Sequence, residues 1–479
     1  MVAEGHDFYS SPVVSDQGDQ LAFIAWDHPN MPWDGTLLCR QAWSANGPSG
    51  PPVVVAGGDE ESIVQPSFSP EGVLTFISDR SGWWNLHQLR EGGVRCVCDQ
   101  PAEFAGPQWV FGLSGYGFLS ESEILCSSGV GGRNQLARLK LESGRVVALE
   151  LGYSRFESVR VGGGFACFIG ASSSSPNEIV VFKADVGRMH VLCRASGLDA
   201  EGGSFVEPQA IEFPSAEGRT THAWFYAPDR KGLEGLAGER PPLLVKSHGG
   251  PTAAASPTLD LRIQYWVSRG ISVVDVDYGG SSGYGRAYRK RLEKQWGVVD
   301  VEDCAHAARY LAEAGLVDQG RLAISGGSAG GFTTLCALTF RDEFSAGASH
   351  YGIGDLEALV RDTHKFESRY MDRLVGPYPE AKAIYRSRSP IHFSEQLSCP
   401  VIFFQGLEDR IVPPNQAESM VEALAARKIR RAYVAFEGEQ HGFRRAESIR
   451  AALEGELYFY SQIFGFESDA TAGPVKIQA

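Results

Sequence analysis

A glycine-rich hexapeptide at residues 326–331 separates a short apolar run from a stretch with a helical pattern. The run at 322–325 fits a buried strand, and residues 332–340 fit a helix. A chain that passes directly from strand to helix needs glycines at the turn, because side chains there would collide with the backbone. Such a turn presents the hydroxyl of Ser328 as a nucleophile. The pattern predicts an α/β domain built around this serine.

A phosphate-binding loop is the alternative interpretation of this segment. Such loops place a lysine after the glycines or keep the register Gly-x-Gly-x-x-Gly. No lysine follows in the required place, and Ser328 and Ala329 interrupt the register. The hexapeptide therefore favours nucleophilic chemistry.

Strand and helix patterns alternate from about residue 206 to residue 467. Apolar residues at helical spacing lie between the runs, for example at Cys304, Ala308 and Leu311. Six short apolar runs fit strands that are covered on both faces, and they span residues 243–246, 271–276, 322–325, 346–350, 401–405 and 432–436. These repeated β-α-β units predict an α/β-hydrolase fold with a doubly wound, mostly parallel sheet. Residues 468–479 lack periodicity, and we expect a loose tail there.

The first half of the chain repeats a unit of turn, apolar strand, polar turn and second strand. Four apolar runs recur at intervals of 52, 51 and 41 residues, beginning at Leu21, Val73, Ile124 and Phe165. These intervals suit four-stranded propeller blades. We predict that residues 1–205 form an all-β, incomplete β-propeller of about four to five blades. An irregular β-sandwich stays open, because the repeats agree in pattern more than in identity.

Charge and cysteine content restrict the partners of the protein. Acidic residues outnumber basic ones by 58 to 44, and no long basic block is present, so we expect no nucleic-acid partner. No run approaches 18 apolar residues, and the first seven residues do not begin a secretory signal. Nine scattered cysteines fit reduced thiols, and Cys96 and Cys98 lack the second pair of a zinc site. We expect a cytoplasmic protein with no membrane partner, metal or cofactor; its oligomeric state is not predictable.

A serine nucleophile needs a neighbouring base that a carboxylate orients. In α/β-hydrolases the acid and then the histidine follow the serine in chain order, at the carboxyl ends of later strands. Two later strand runs end shortly before Asp409 and before His441, which is the last histidine of the chain. The topology therefore predicts the set Ser328, Asp409 and His441. Glu408 adjoins Asp409 and stays an alternative partner for the imidazole.

Acyl transfer also needs N–H donors directed at the oxygen that becomes negative, each worth about 3 kcal/mol. The N–H of Ala329, the residue after the nucleophile, is the expected first donor. The loop after an early strand should supply the second, and residues 247–251 read Ser-His-Gly-Gly-Pro there. We predict the N–H of Gly250, with Gly249 as the alternative. Taken alone, this segment is equally well a simple turn.

These motifs together resemble the catalytic domain of the prolyl oligopeptidase family of serine peptidases, in particular its acylaminoacyl-peptidase and dipeptidyl-peptidase-like branch. The resemblance rests on residues 248–251, 277–285, 296–303, 326–331, 406–413 and 438–443. In the first half, residues 26–35 and 78–86 resemble the propeller of the family. The resemblance implies a peptidase that releases an acylated amino acid or a dipeptide from short peptides through an acyl-enzyme.

The sequence departs from the family pattern at its beginning. Propellers of the family have seven or eight blades, whereas the first half of this chain has length for four or five. The short N-terminal contribution to the hydrolase domain is also missing. We therefore expect an N-terminally shortened form.

Two other functions remain open. The same triad hydrolyses esters in other proteins, because a fold does not determine its substrate. A non-catalytic propeller scaffold would require loss of a triad member, and none is missing.

Substrate-binding residues are the least constrained part of the sequence. Phe366 and Tyr370 lie four apart on a predicted helix, where they line a side-chain pocket or belong to the core. The acidic residues 59–61 either meet a substrate amine or form a solvated loop. For three histidines we expect ordinary hydrogen bonding, namely His350, His364 and His392.

Overall fold

The structure is a computed structural model that describes residues 2–197, 205–228, 238–470 and 474–478. The chain divides into two compact units. The first comprises Met1–Phe205, Ser256–Asp260 and Ser282–Arg289, and the second comprises Val206–Ala255, Leu261–Ser281 and Lys290–Ala479. Two short segments from the second half of the chain thus belong to the first unit.

The first unit contains four antiparallel sheets within the described residues. The first sheet consists of β1 (Phe8–Val14), β2 (Gln20–Trp26), β3 (Thr36–Ser44), β4 (Gly47–Pro48) and β5 (Val53–Gly58). The second consists of β6 (Ile63–Phe68), β7 (Leu74–Ser78), β8 (Asn85–Arg90) and β9 (Gly93–Cys96). The third consists of β10 (Tyr116–Phe118), β11 (Glu123–Val130), β12 (Arg133–Lys140) and β13 (Arg145–Ala148). The fourth consists of β14 (Arg155–Gly162), β15 (Phe165–Ala171), β16 (Glu178–Lys183) and β17 (Arg188–Arg194).

The apolar runs that predicted the repeat lie on the second strand of each sheet, namely β2, β7, β11 and β15. Most of their side chains are buried between neighbouring sheets, although Phe165, at the start of β15, is exposed. One shared core joins Leu125 and Leu136 of the third sheet to Phe156 and Phe168 of the fourth. The predicted all-β, propeller-like architecture is confirmed, with four blades in the part of the chain that the structure describes.

The second unit is built on an eight-stranded sheet in the order β18-β19-β21-β20-β22-β23-β24-β25. The pairs β18–β19 and β19–β21 are antiparallel, and the remaining pairs are parallel. Its strands are β18 (Gln209–Pro214), β19 (Thr220–Tyr226), β20 (Leu243–Ser247), β21 (Ser272–Asp277), β22 (Leu322–Gly327), β23 (Ala346–His350), β24 (Val401–Gly406) and β25 (Arg431–Phe436). The predicted α/β-hydrolase fold is confirmed.

Helices cover this sheet. In chain order the α-helices of the described residues are α1 (Leu261–Val267), α2 (Gly285–Arg289), α3 (Val299–Glu313), α4 (Ala329–Phe340), α5 (Leu356–Asp362), α6 (Tyr370–Leu374), α7 (Lys382–Arg388), α8 (Asn415–Ala426) and α9 (Ala446–Phe464). Of these, α2 belongs to the first unit. Every residue of α4 except Phe340 is buried, because α4 follows the central strand β22 and packs between its neighbours. No helix in the described part of the chain combines the length and apolar character that crossing a bilayer requires.

The end of the chain differs from the expected loose tail, of which residues 471–473 and 479 lie outside the described residues. Gln478 pairs with Arg431 at the start of β25 through two backbone hydrogen bonds of 2.8 Å. Val475 and Ile477 pack against the core of the second unit. The sequence shows no periodicity here because the segment is an isolated bridge, too short to repeat a pattern.

Candidate active site

Ser328 occupies a strained turn between β22 and α4. Its φ of 56° and ψ of −122° lie where few residues other than glycine are found. Glycine is required on both sides of this turn for steric reasons. A Cβ on Gly326 would lie 2.4 Å from the carbonyl oxygen of Gly330, and a Cβ on Gly330 would lie 2.1 Å from the carbonyl oxygen of Ser247. The Ser328 N–H donates to the His350 carbonyl at 3.0 Å, which ties the turn to β23.

The three side chains of the predicted triad meet. His441 Nε2 lies 2.8 Å from Ser328 Oγ, and His441 Nδ1 lies 2.7 Å from Asp409 Oδ2. The other carboxylate oxygen of Asp409 accepts from the backbone N–H groups of Ile411 and Val412, each at 2.9 Å. The Asp409 side chain is fully buried, whereas Glu408 is exposed. Asp409 therefore contacts the imidazole, and Glu408 does not occupy that position.

Glu439 fixes the loop that carries His441. Its carboxylate accepts from the N–H of Arg444 at 3.0 Å and the N–H of Arg445 at 2.9 Å. Burial acts to raise the pKa of Glu439, but these two donors, a hydrogen bond from Ser448 and the charge of Arg445 together outweigh burial, and the pKa is lowered. A carboxylate that stays ionised holds both ends of the turn around His441 together.

Tyr351 is a site residue that sequence analysis missed. Its ring lies 4.9 Å from the His441 ring and 5.3 Å from that of Phe443. The φ of Tyr351 is 39°, again in the left-handed region. Its backbone N–H donates to the Phe404 carbonyl at 2.7 Å. The ring also contacts Gly327, where a Cβ would approach it to 2.9 Å. A tyrosine after a strand gives no signal in a single sequence, because its role depends on strand neighbours distant in the chain.

Behind Tyr351, His350 is held by a buried carboxylate. His350 Nε2 lies 2.9 Å from Glu456 Oε2, and Tyr460 donates to the other oxygen of Glu456 at 3.0 Å. This is the ordinary hydrogen bonding that we expect for His350. His364 and His392 lie 3.8 Å from Glu367 and 3.9 Å from Glu357, which is beyond hydrogen-bond distance. The buried Nε2 of His392 has no hydrogen-bond partner among the described residues, so the expectation is not met there.

The predicted oxyanion donors lie beside the nucleophile. Ala329 is the first residue of α4, and a Cβ on Gly249 would lie 3.6 Å from Ser328 Cβ, so the two loops are in contact. Gly250 has a φ of 120°, which only glycine adopts without strain. Over the described ranges, the N–H groups of Ala329, Gly249 and Gly250 have no protein acceptor. The arrangement leaves both Gly249 and Gly250 as possible second donors.

His248 supports this loop from behind. Its ring stacks on Tyr278 at 4.2 Å, and its Nε2 lies 2.7 Å from Ser281 Oγ. The Tyr278 hydroxyl donates to the His248 carbonyl at 2.9 Å. Burial lowers the pKa of His248 to about 4, although a hydrogen bond with Gly249 acts in the opposite direction. His248 is therefore neutral at pH 7.

We expect His248 to make the protein less stable in acid. An unfolded histidine has a pKa of about 6.5. Between that value and the folded value of about 4, the unfolded chain binds more protons, so the free energy of unfolding falls as the pH falls. The loss is at most about 3 kcal/mol, because the ring keeps some contact with solvent.

Urea unfolding of wild type, His248→Gln and His190→Gln between pH 7 and pH 4.5 measures this effect. His190 is exposed and serves as the control. The His248→Gln variant should lose the extra acid sensitivity, and the control should keep it. Identical pH dependence in all three proteins would contradict the assignment.

Phe366 and Tyr370 do not share a helix, so that part of the prediction is wrong. Tyr370 begins α6, and Phe366 lies in the preceding turn. Tyr370 is buried, and its hydroxyl lies 3.2 Å from the Thr252 N and 2.6 Å from Thr252 Oγ1. Tyr370 thus supports the loop of Gly250. The substrate-binding roles of Phe366 and Tyr370 stay predictions.

The acidic residues 59–61 take part in contacts within the first unit. Glu61 pairs with Arg80 at 2.9 Å, and Glu60 with Arg286 at 3.3 Å. Asn30 Nδ2 donates to Asp59 at 3.3 Å. Asp59 and Glu60 are nevertheless exposed, so the segment is a solvated loop whose side chains also have partners within this unit.

The motif at residues 296–303 holds α4 in place. Asp300 is fully buried and accepts from the Gly297 N–H at 2.6 Å and from Thr333 Oγ1, on α4, at 2.5 Å. Burial raises the pKa of Asp300 to about 6, against the effect of these donors. The motif thereby positions the helix that begins directly after Ser328.

Comparison with known proteins gives one consistent result. The sequence pattern of the prolyl oligopeptidase family matches residues 257–467. A puromycin-hydrolyzing peptidase of Mycobacterium tuberculosis of known structure is 40% identical, with a TM-score of 0.95, over 100% of this chain and 73% of that one.

Two curated relatives match over shorter stretches. Dipeptidyl aminopeptidase BIII of Pseudoxanthomonas mexicana is 29% identical over 273 residues, which is 55% of this chain and 40% of that protein. The acylamino-acid-releasing enzyme of Arabidopsis thaliana is 28% identical over 219 residues, or 44% of this chain and 29% of that protein. The chain thus spans less than half the length of these two relatives. The family pattern, the 40% identity and the common fold agree, and the chain belongs to the prolyl oligopeptidase family.

Proposed function

We propose that this protein is a serine peptidase that cleaves amide bonds near the N-terminus of short peptides through a Ser328–His441–Asp409 triad. The observation that carries the proposal is the continuous contact from Ser328 Oγ to His441 at 2.8 Å and from His441 to Asp409 at 2.7 Å. This is the arrangement in which a serine becomes a nucleophile at neutral pH.

The reaction begins when Ser328 Oγ attacks the scissile carbonyl carbon. His441 Nε2 takes the hydroxyl proton and later gives it to the leaving amine, which departs as the acyl-enzyme forms. Asp409 keeps the proton of the ring on Nδ1 and stabilises the imidazolium. A water molecule, deprotonated by the same Nε2, then hydrolyses the ester and restores Ser328.

The negative oxygen of each tetrahedral intermediate needs donors that are already in place. The N–H of Ala329 is one, and the N–H of Gly250 or Gly249 is the other. Because these groups have no protein acceptor in the described part of the chain, they are available without breaking a hydrogen bond. Each should contribute about 3 kcal/mol to transition-state stabilisation.

The names of the relatives favour amide substrates with a reactive bond close to the N-terminus. They include a dipeptidyl aminopeptidase, an acylamino-acid-releasing enzyme and a puromycin-hydrolyzing peptidase. These names differ on whether the N-terminal amine is free or acylated.

A substrate panel tests the proposal. We expect the protein to hydrolyse at least one of alanine p-nitroanilide, acetyl-alanine p-nitroanilide, a dipeptide p-nitroanilide and puromycin, with p-nitrophenyl acetate as the ester reference. The Ser328→Ala variant, purified in parallel, controls for contaminating peptidases. Hydrolysis of the ester with no turnover of any amide would replace the proposal by an esterase, and no turnover at all would favour the scaffold.

A further inference from the structure

Tyr351 directly follows β23, and its backbone is joined to the turn that carries Ser328. The peptide group between His350 and Tyr351 forms a hydrogen bond on each side. Its carbonyl accepts from the Ser328 N–H at 3.0 Å, and its N–H donates to the carbonyl of Phe404, in β24, at 2.7 Å. The base of the Tyr351 side chain is therefore fixed relative to the nucleophile and to the strand that precedes Asp409.

The ring of Tyr351 lies against both the turn of the nucleophile and the imidazole of His441. Its centroid is 4.9 Å from the centroid of the His441 ring, at an interplanar angle of 64°, and 5.3 Å from that of Phe443. A Cβ on Gly327 would lie 2.9 Å from Tyr351 Cε2 and 2.9 Å from the hydroxyl oxygen. Because Gly327 directly precedes Ser328, one side chain contacts the neighbours of both reacting groups.

Tyr351 does not itself act as an acid or a base. Burial raises the pKa of its hydroxyl, the charge of Arg262 opposes that rise and the charge of Asp409 adds to it. The hydroxyl therefore stays protonated at pH 7, and across the described ranges it forms no hydrogen bond with a protein group. What Tyr351 offers to the imidazole is an uncharged, close-packed surface.

The imidazole of His441 needs such a surface because its two polar contacts restrain it incompletely. Its Nδ1 lies 2.7 Å from Asp409 Oδ2, and its Nε2 lies 2.8 Å from Ser328 Oγ. Hydrogen bonds tolerate a range of angles, so two of them leave the ring able to tilt out of its plane. A misplacement of about 1 Å at a reacting group can cost about a hundredfold in rate. Packing by an inclined ring opposes that tilt.

We propose that Tyr351 is a positioning residue, whose ring keeps the imidazole of His441 in the orientation in which Nε2 meets Ser328 Oγ. Gly327 is a glycine because this ring occupies the space that a side chain would need. The inference rests on the proposed triad. It adds a fourth side chain, which takes no proton and acts only through His441.

The first test compares Tyr351→Leu and Tyr351→Phe with wild type on p-nitrophenyl acetate and on the best amide of the substrate panel. Leucine removes the ring, and we expect kcat to fall about 10- to 100-fold with KM within about threefold of wild type, since the misplaced group acts in the chemical step. Phenylalanine keeps the ring and should restore kcat to within about twofold. Tyr310→Leu is the matched control, because Tyr310 is a half-buried tyrosine of the same unit that stacks on Phe213 instead.

The second test uses Gly327, where the effect of a substitution should depend on Tyr351. Gly327→Ala places a Cβ whose three nearest atoms all belong to the tyrosine ring and its hydroxyl, at 2.9, 2.9 and 3.1 Å. The ring must then shift, and we expect kcat to fall about tenfold. In the Tyr351→Leu background the same alanine should change kcat by less than about twofold, because the shorter side chain leaves room for a methyl group. The two losses should thus be non-additive.

A fluorophosphonate probe, reacted to completion, counts the folded sites, so that kcat is expressed per labelled Ser328 and unfolded protein does not contribute. Four results would each overturn the role of Tyr351 with the peptidase intact: no loss in Tyr351→Leu, an equal loss in Tyr351→Phe, a comparable loss in Tyr310→Leu, or additive losses with Gly327→Ala. A wild type that turns over the ester alone would overturn the peptidase, and the ester rates would still decide on Tyr351. A wild type that is neither labelled nor active would overturn both.

Discussion

We expect replacement of Ser328 by alanine to lower amide turnover on the order of a millionfold, as in other triads that lose their nucleophile. The reason is that Ser328 Oγ is the atom that would bond to the substrate carbon, and alanine offers no group that His441 can deprotonate. The residual rate should come from the backbone donors and from binding alone.

Initial rates on the best substrate of the panel measure this loss, and a fluorophosphonate probe reports the same group directly. Wild type should be labelled at Ser328, and the variant should not. The circular dichroism spectrum should stay unchanged, since the turn depends on the glycines at 326 and 330 and on the Ser328 backbone. Near-normal cleavage by the purified variant would end the assignment.

The turn at Ser328 and the contact of Ser328 and Asp409 with His441 were predictable, because the residues that form them lie in short, recognisable segments. Glycines at 326 and 330 have a local steric cause, which a sequence shows directly. The order of Ser328, Asp409 and His441 follows from parallel strands whose carboxyl ends lie at one edge of the sheet. The sequence favoured Asp409 but left Glu408 open, because the choice depends on which side chain the turn after β24 directs inward.

Other features depend on contacts between distant parts of the chain. Glu456 meets His350 across 106 residues, and the bridge of Gln478 to Arg431 spans 47. The same holds for Ser282–Arg289, which sequence order assigns to the hydrolase domain but which packs with the first unit. There Arg286 and Arg289 form ion pairs with the fully buried side chain of Asp79, and Gly285 N–H donates to Glu103. A periodic pattern in the sequence reveals a helix or a strand, whereas a contact between two residues far apart in the chain leaves no such pattern.

Replacing Asp409 by asparagine should lower kcat about ten-thousandfold while leaving KM within a few-fold of wild type. The carboxylate oxygen 2.7 Å from His441 Nδ1 accepts the proton on that nitrogen. An asparagine amide nitrogen at this position would donate instead, which places the ring proton on Nε2. His441 could then no longer accept the proton of Ser328, so the loss appears in the chemical step.

The adjacent Glu408 supplies the control that makes this result specific. Its side chain is exposed, and its backbone N–H donates to the Glu439 carbonyl at 2.9 Å, which a substitution of the side chain leaves in place. Glu408→Gln removes the same charge one residue away and should change kcat by less than about twofold. A comparable loss in both variants would mean that the field of the acidic turn, and not the contact with Nδ1, supports catalysis. A loss in Glu408→Gln alone would contradict the assignment of Asp409. The exposed Glu408 side chain would then be the group that orients the imidazole.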